Sequence, residues 1–141
     1  MFLLDTNVVS ELRKFGTDRI HQNVERWAQA IPGEQTYLSV VTIFELERGV
    51  LLIERRDPTQ GKVLRQWLTE KVLRQYTKRI IPVTVEVAQR CASLHIPNPM
   101  PEYDALIAAT ALQHGLIIVT RNTNDFTKTG VKLINPWLEG Q

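Results

Sequence analysis

Four acidic residues of the 141-residue chain stand where their type and spacing could do chemistry: Asp5, Glu45, Asp104 and Asp125. Carboxylates that lie close together repel each other unless they are protonated or neutralised, and the usual neutraliser is a hard divalent cation with oxygen ligands. Mg²⁺ or Mn²⁺ suits such a set, and a metal held by carboxylates can activate water and stabilise charge on a phosphoryl oxygen. The four acids therefore favour hydrolysis of a substrate that contains phosphate.

Each of these acids also has a purely structural explanation. Asp5 can cap the helix that follows it, because aspartate is common at strand-to-helix turns. Thr42 and Glu45 have the spacing of a capping box, and Asp104 lies in a first helical turn, where the helix dipole favours an acid. Asp125 stands in a segment rich in turn-forming residues. A shared site is favoured because all four acids come just after a strand or in the first turns of the following helix.

The apolar pattern predicts the elements that must position the acids. We expect strands at 2–4, 36–41, 79–83, 116–120 and 132–137, and helices at 8–14, 20–31, 42–54, 58–76, 84–94 and 104–114. Short apolar strands that alternate with helices indicate an α/β domain with a parallel sheet of about five strands, covered on both faces. Ligands bind beyond the carboxyl ends of such strands, which is where the acids lie.

Composition excludes several other classes of protein. The chain is 43% hydrophobic and 23% charged, as is usual for a soluble domain, and no apolar run is long enough to cross a bilayer. We read no signal peptide and expect a single cytoplasmic domain over residues 1–141. The lone Cys91 rules out a disulfide framework, and the three histidines lack the spacing of a zinc site. A formal net charge of +2 alone predicts little about partners.

The segments LLDTNVVSEL, TIFELERG, EYDALIAATAL and IVTRNTNDF carry a family resemblance. In this order and spacing they resemble the motifs of the PIN-domain ribonucleases, most closely the toxins of VapBC-type toxin–antitoxin pairs, including the FitB-like branch. The resemblance covers nearly the whole chain. It implies a PIN-like α/β/α sandwich with a five-stranded parallel sheet of order 3-2-1-4-5. It also implies that Asp5, Glu45, Asp104 and Asp125 form the catalytic metal site, with Thr6 and Asn122 as supporting residues.

The same resemblance implies an activity and partners. Members of the family are Mg²⁺- or Mn²⁺-dependent endoribonucleases that cleave single-stranded regions of RNA and leave a 5′-phosphate and a 3′-hydroxyl. They usually form homodimers, and a small VapB-like antitoxin, often carrying a DNA-binding domain, wraps them in a larger assembly and occupies the active site. No membrane is involved. Candidate contacts to RNA phosphates are Arg13, Lys14, Arg48, Arg121 and Lys128.

Three alternatives differ in chemistry from a ribonuclease. The haloacid-dehalogenase phosphatases require a second aspartate two residues after the first, and Asn7 stands there. A phospho-receiver domain would need an acid ending its middle strand, and RIIPVT has none. The third alternative is a chiefly non-catalytic partner of a DNA-binding antitoxin in operon autoregulation. RNA cleavage by the isolated protein separates this role from catalysis.

Overall fold

The structure, a computed structural model, describes residues 1–140 and consists of short strands alternating with helices. The strands are β1 (Phe2–Leu4), β2 (Thr36–Ser39), β3 (Ile80–Ile81), β4 (Ile117–Val119) and β5 (Leu133–Ile134). The α-helices are α1 (Thr6–Leu12), α2 (Gln22–Ala30), α3 (Val40–Arg56), α4 (Pro58–Gln66), α5 (Val85–Leu94) and α6 (Glu102–His114). A π-helical segment, Trp67–Leu73, continues α4, and short 3₁₀ turns occupy Gly33–Gln35, Thr123–Asp125 and Thr127–Thr129.

The five strands form one parallel sheet in the order β3-β2-β1-β4-β5. This confirms the predicted strand order 3-2-1-4-5. Leu4 of β1 pairs with Val119 of β4, so the residues that follow them, Asp5 and Thr120, leave the sheet side by side. The backbone N–H of Asp5 donates to the carbonyl of Val119 at 2.9 Å and extends the ladder to the aspartate itself. The end of β1 is therefore fixed against the end of β4.

Helices cover both faces of the sheet and bury its apolar side chains. One core cluster joins β1 to α1, α2 and α3 through residues such as Leu4, Val8, Trp27 and Leu46. A second cluster joins the sheet to α6, where Ile107 and Ala108 are fully buried. Helix α6 ends at Gly115, whose left-handed conformation (φ 66°) suits a glycine. Because α6 is buried along most of its length, the position of its first turn is fixed relative to the sheet.

The start of α3 corrects the predicted boundary and one interpretation of Glu45. Helix α3 begins at Val40, and Ser39 caps it by accepting a hydrogen bond from the Val41 N–H at 3.0 Å. Thr42 is thus a buried residue inside the helix and not its cap. The capping-box interpretation of Thr42 and Glu45 is therefore wrong, since that motif requires the threonine at the N-cap position.

Four predicted strands are shorter than expected, and two of them keep only two residues each. Residues 79–83 contribute only Ile80–Ile81, and residues 132–137 contribute only Leu133–Ile134. Pro82 directly follows the first of these pairs, and Pro136 lies two residues beyond the second. Proline has no N–H to give to a ladder, so pairing stops close to it.

Candidate active site

Asp5 is the most deeply placed of the four acids, with only 7% of its surface exposed. Its Oδ1 accepts the Thr6 backbone N–H at 2.8 Å, and its Oδ2 accepts the Thr120 hydroxyl at 2.7 Å and the Asn7 amide at 3.4 Å. Burial raises the pKa of Asp5 above its ordinary value, the negative charge of Asp125 raises it further, and the bonds from Thr120 and Thr6 oppose that shift. Asp5 both caps α1 and faces another acid, so capping does not exclude a place in the site.

Glu45 reaches the start of α1 from the second turn of α3. Its Oε1 accepts the Thr6 hydroxyl at 2.6 Å, and that hydroxyl also lies 3.3 Å from the hydroxyl of the buried Thr42. Thr6 therefore contacts both acids, Asp5 through its backbone N–H and Glu45 through its hydroxyl. The geometry gives Glu45 a polar partner outside its own helix, which a solvated surface glutamate does not need.

Asp104 lies in the first turn of α6, next to the other acids. Its pKa is raised to about 6, first by burial and then by the negative charges of Asp5, Asp125 and Glu45. Like charges raise a carboxyl pKa only at short range, since distant charges are screened by water. The perturbation of Asp104 therefore indicates that the four predicted acids, which come from four separate parts of the chain, lie in one region.

Asp125 is the most exposed of the four acids. It ends the 3₁₀ turn after β4, and its backbone N–H donates to the carbonyl of Asn122 at 3.0 Å. The N–H of Asn122 in turn donates to the Thr120 hydroxyl at 3.0 Å, and Asn122 as a whole is exposed. Asn122 thus supports the turn through its backbone, and a role for its side chain stays a prediction.

Two polar residues that the sequence did not single out as supports hold Asp5 in place. The Thr120 hydroxyl donates to Asp5 and lies 3.3 Å from the amide of Asn7, whose own oxygen accepts the Arg121 N–H at 3.2 Å. These bonds tie the loop after β1 to the loop after β4. The available signal was the strand ending in Thr120, because parallel pairing of the first and fourth strands places Thr120 beside Asp5.

The donor set suits a hydrated cation better than an enclosed metal cage. Within residues 1–140, no three histidine, cysteine or acidic side chains are grouped closely enough to hold an ion between them. A cluster of carboxylates with raised pKa values nevertheless gains from a nearby positive charge. Mg²⁺ is typically bound by one or two carboxylates and keeps several waters, which matches this arrangement.

The predicted basic contacts separate into three groups. Arg13, Lys14 and Arg121 line a groove that also contains Thr6 and Glu45. Arg48 stacks over the rings of Phe44 and Tyr103, at 5.1 and 5.8 Å from their centroids. Lys128 donates to the carbonyls of Asn98 and Pro99, both at 3.3 Å. Of the three groups, only the first lines the same groove as Glu45.

The fold finds its counterpart in known proteins. The model of the PIN domain family matches residues 2–132. The chain belongs to the PIN-domain family. The PIN-domain relatives include toxin FitB of Neisseria gonorrhoeae, which is 36% identical over 143 residues covering 97% of this chain and 99% of the relative. The VapC ribonuclease Y4jK of Sinorhizobium fredii is 34% identical over 97% of this chain and 98% of its own.

A chain in a solved protein–DNA assembly has a fold similar to this one. A chain in the structure of FitAB bound to the IR36 DNA fragment matches with a TM-score of 0.88 and 31% identity, covering 100% of this chain and 99% of that one. The match extends over the whole sheet and its helices, so the fold predicted from the resemblance is confirmed. Among the helices of residues 1–140, none combines the length and apolar character needed to cross a bilayer.

Proposed function

We propose that this PIN-domain protein is a metal-dependent endoribonuclease, the toxin of a type II toxin–antitoxin pair, acting on RNA in the cytoplasm. The observation that carries the proposal is the meeting of the acids at the carboxyl ends of the strands, where Thr6 bonds both Asp5 and Glu45 and where burial and neighbouring negative charges raise the pKa of Asp104. A family match to the PIN domain and a relative named as a VapC ribonuclease support the same activity. Catalysis in such a site requires a cation to bring a phosphate anion among carboxylates that repel it.

The residues of the site have distinct roles in this proposal. Asp5, Glu45, Asp104 and Asp125 would hold Mg²⁺ or Mn²⁺, directly or through water, and the ion supplies Lewis-acid polarisation of the phosphate and a lower pKa for the attacking water. Thr120 and the Thr6 N–H keep the Asp5 carboxylate oriented. The Thr6 hydroxyl donates to Glu45 and holds its carboxylate at the start of α1. The hydrogen bonds from Thr120 and Thr6 favour the ionised form of Asp5 and oppose the effect of burial on its pKa, and a bound cation would favour that form further.

Cleavage of RNA by the purified protein tests this function. We expect cleavage with Mg²⁺ or Mn²⁺, products with a 5′-phosphate and a 3′-hydroxyl, and loss of cleavage in EDTA, because no histidine of the described site can replace the metal. Restoring Mg²⁺ in excess of EDTA should restore cleavage, which controls for damage by the chelator. Cleavage that continues undiminished in EDTA contradicts the metal-dependent site.

We propose a VapB-like antitoxin as the protein partner. FitB is a relative, and a structural neighbour comes from an assembly of FitAB on DNA. In the proposed complex the antitoxin covers the acids and suppresses the cleavage measured above, while the complex binds operator DNA. If isolated protein never cleaves RNA but the complex binds that DNA, the chain is chiefly a partner in autoregulation.

We propose a homodimer that forms through an apolar face beside the site. This face consists of Val40, Phe44 and Tyr103, with Phe44 49% exposed and Arg48 stacked over both rings. Aromatic residues and arginine are enriched at the centres of interfaces. The rings of Phe44 and Tyr103 meet with their centroids 5.5 Å apart, between α3 and α6, the two helices that carry Glu45 and Asp104.

Substitution in the apolar face is expected to weaken the dimer. Phe44→Ser removes its most exposed ring and should raise the dimer dissociation constant by roughly tenfold or more, as loss of a buried aromatic anchor does. Sedimentation equilibrium measures the shift. Val63→Ser is the matched control, because Val63 is 52% exposed on α4 and lies outside the face. Equal dissociation constants for both variants would place the interface elsewhere.

A further inference from the structure

A groove of about 580 Å³ shares Thr6 and Glu45 with the proposed metal site and extends away from it along residues that the site does not use. We call it the lateral groove. Thr6 and Glu45 stand at its acidic end, and its walls come from α1, α3, α4, the π-helical segment and the loops after β4 and β5. Its apolar wall consists of Leu46, Val50, Leu64, Trp67 and Trp137. Flat aromatic surface thus continues directly from the acidic site.

The rim of the lateral groove is basic. Lys14 pairs with Glu11 at 3.2 Å, whereas Arg13 and Arg121 have no ion pair among residues 1–140. The Arg121 guanidinium lies over the Trp137 ring, 5.3 Å from its centroid. The lateral groove therefore contains two arginines that have no ion pair among residues 1–140, together with an aromatic wall.

We propose that the lateral groove is a subsite for the nucleotides next to the scissile phosphate, and this rests on the proposed ribonuclease function. In it, an unpaired base packs against Trp67, while Arg13 and Arg121 hold flanking phosphates, Arg121 from its position over the Trp137 ring. Single strands are bound by just this combination of a positively charged groove and aromatic side chains. Unstacked bases in RNA loops are also the parts that aromatic residues and arginine recognise. A peptide would gain from the apolar wall but would leave two arginines to be neutralised by its own acids.

Gly49 offers a way to close the lateral groove without disturbing the core. It lines the groove from α3, is exposed, and a Cβ added to it meets no heavy atom within 4 Å. Gly49→Phe places a ring in the open space of the groove. Gly49→Ala is the matched control, because it makes the same backbone change and adds only one methyl group.

Affinity for single-stranded RNA in EDTA tests the subsite independently of cleavage. The probe is a fluorescein-labelled RNA of about ten nucleotides without secondary structure, within the usual site sizes of single-strand binders, measured by fluorescence anisotropy. Wild type and Gly49→Ala should bind equally, and Gly49→Phe should bind roughly tenfold more weakly because base stacking is blocked. An abasic strand of equal length should bind wild type and Gly49→Phe alike.

The arginines provide a second measurement that does not depend on Gly49→Phe folding normally. Arg13→Gln and Arg121→Gln should each reduce the slope of log affinity against log salt by about 0.7, the value for one phosphate contact to a single strand. Arg74→Gln is the control, because Arg74 is exposed and lies outside the groove. Thermal melts of all variants show which of them are folded, and if Gly49→Phe is not, the salt slopes decide.

Three results would overturn the subsite. The first is RNA affinity of folded Gly49→Phe equal to that of Gly49→Ala, and the second is unchanged salt slopes in both arginine variants. The third is loss of inhibition by the antitoxin in Gly49→Phe with RNA affinity intact, which would make the groove a protein-binding surface. Failure of the proposed function has a different signature, namely wild-type protein that binds RNA but does not cleave it with Mg²⁺.

Discussion

Asp5→Asn is expected to reduce RNA cleavage by roughly a hundredfold or more, because metal-assisted charge stabilisation is worth several kcal/mol and each 1.36 kcal/mol is tenfold in rate. The fold should persist. Asparagine caps helices about as well as aspartate, so the bond to the Thr6 N–H can be kept. The variant also removes a buried carboxylate whose pKa is raised by burial and by Asp125, so the metal-free protein should be at least as stable as wild type at neutral pH.

Asp57→Asn is the matched control for this substitution. Asp57 caps α4 through a bond from the Gln60 N–H at 3.2 Å, but it lies on the surface and outside the acidic site. It makes the same chemical change at the same kind of helix position. Cleavage assays and thermal melts of both variants separate capping from catalysis. Wild-type cleavage by a folded Asp5→Asn protein would show that Asp5 serves only as a cap.

Without a divalent metal, the contribution of Asp104 to the free energy of unfolding is expected to fall as pH rises from about 4 to about 6. The pKa of Asp104 is about 6 in the folded protein, against roughly 3.9 for an unperturbed aspartate. Between these values the folded state binds more protons than the unfolded state, so the stability contributed by protonation is complete below the unfolded pKa and is lost as pH passes the folded one. The raised pKa of Asp5 acts in the same direction.

Magnesium should reverse this loss. A cation that binds only the folded state stabilises it by about 2.7 kcal/mol at a hundredfold excess over its dissociation constant. Because the cation binds ionised carboxylates, the increment should be largest above about pH 7 and should disappear as Asp104 becomes protonated. Urea titrations across this pH range, with and without Mg²⁺, measure both effects.

Two variants in one helical turn isolate the contribution of Asp104. Asp104→Asn should flatten the decline between about pH 4 and 6 and remove most of the magnesium increment. Glu102→Gln is the control, because Glu102 is exposed in the same first turn of α6 and should leave both effects unchanged. Equal magnesium increments in wild type and Asp104→Asn would remove Asp104 from the metal site.

Much of the fold could be predicted from local sequence. The run Phe2–Leu4 and the segment 116–120 are short and apolar, and the intervening helices have regular apolar spacing. These patterns predict the order of the elements and a parallel sheet. The boundary between the end of β2 and the start of α3 was less predictable. Both Ser39 and Thr42 can cap a helix, and only packing decides which of them ends the strand.

The sequence by itself identified four candidate acids and a family resemblance, and that resemblance implied the strand order, because motifs depend on residue types in a fixed order along the chain. Only the tertiary structure decided which polar groups surround the acids. The hydroxyls of Thr6 and Thr120 bond acids that are 39 and 115 residues away in the chain. The lateral groove is likewise formed by residues from Thr6 to Trp137. Such contacts arise where the parallel strands end together, and no local pattern in the sequence specifies them, since each depends on the packing of distant segments.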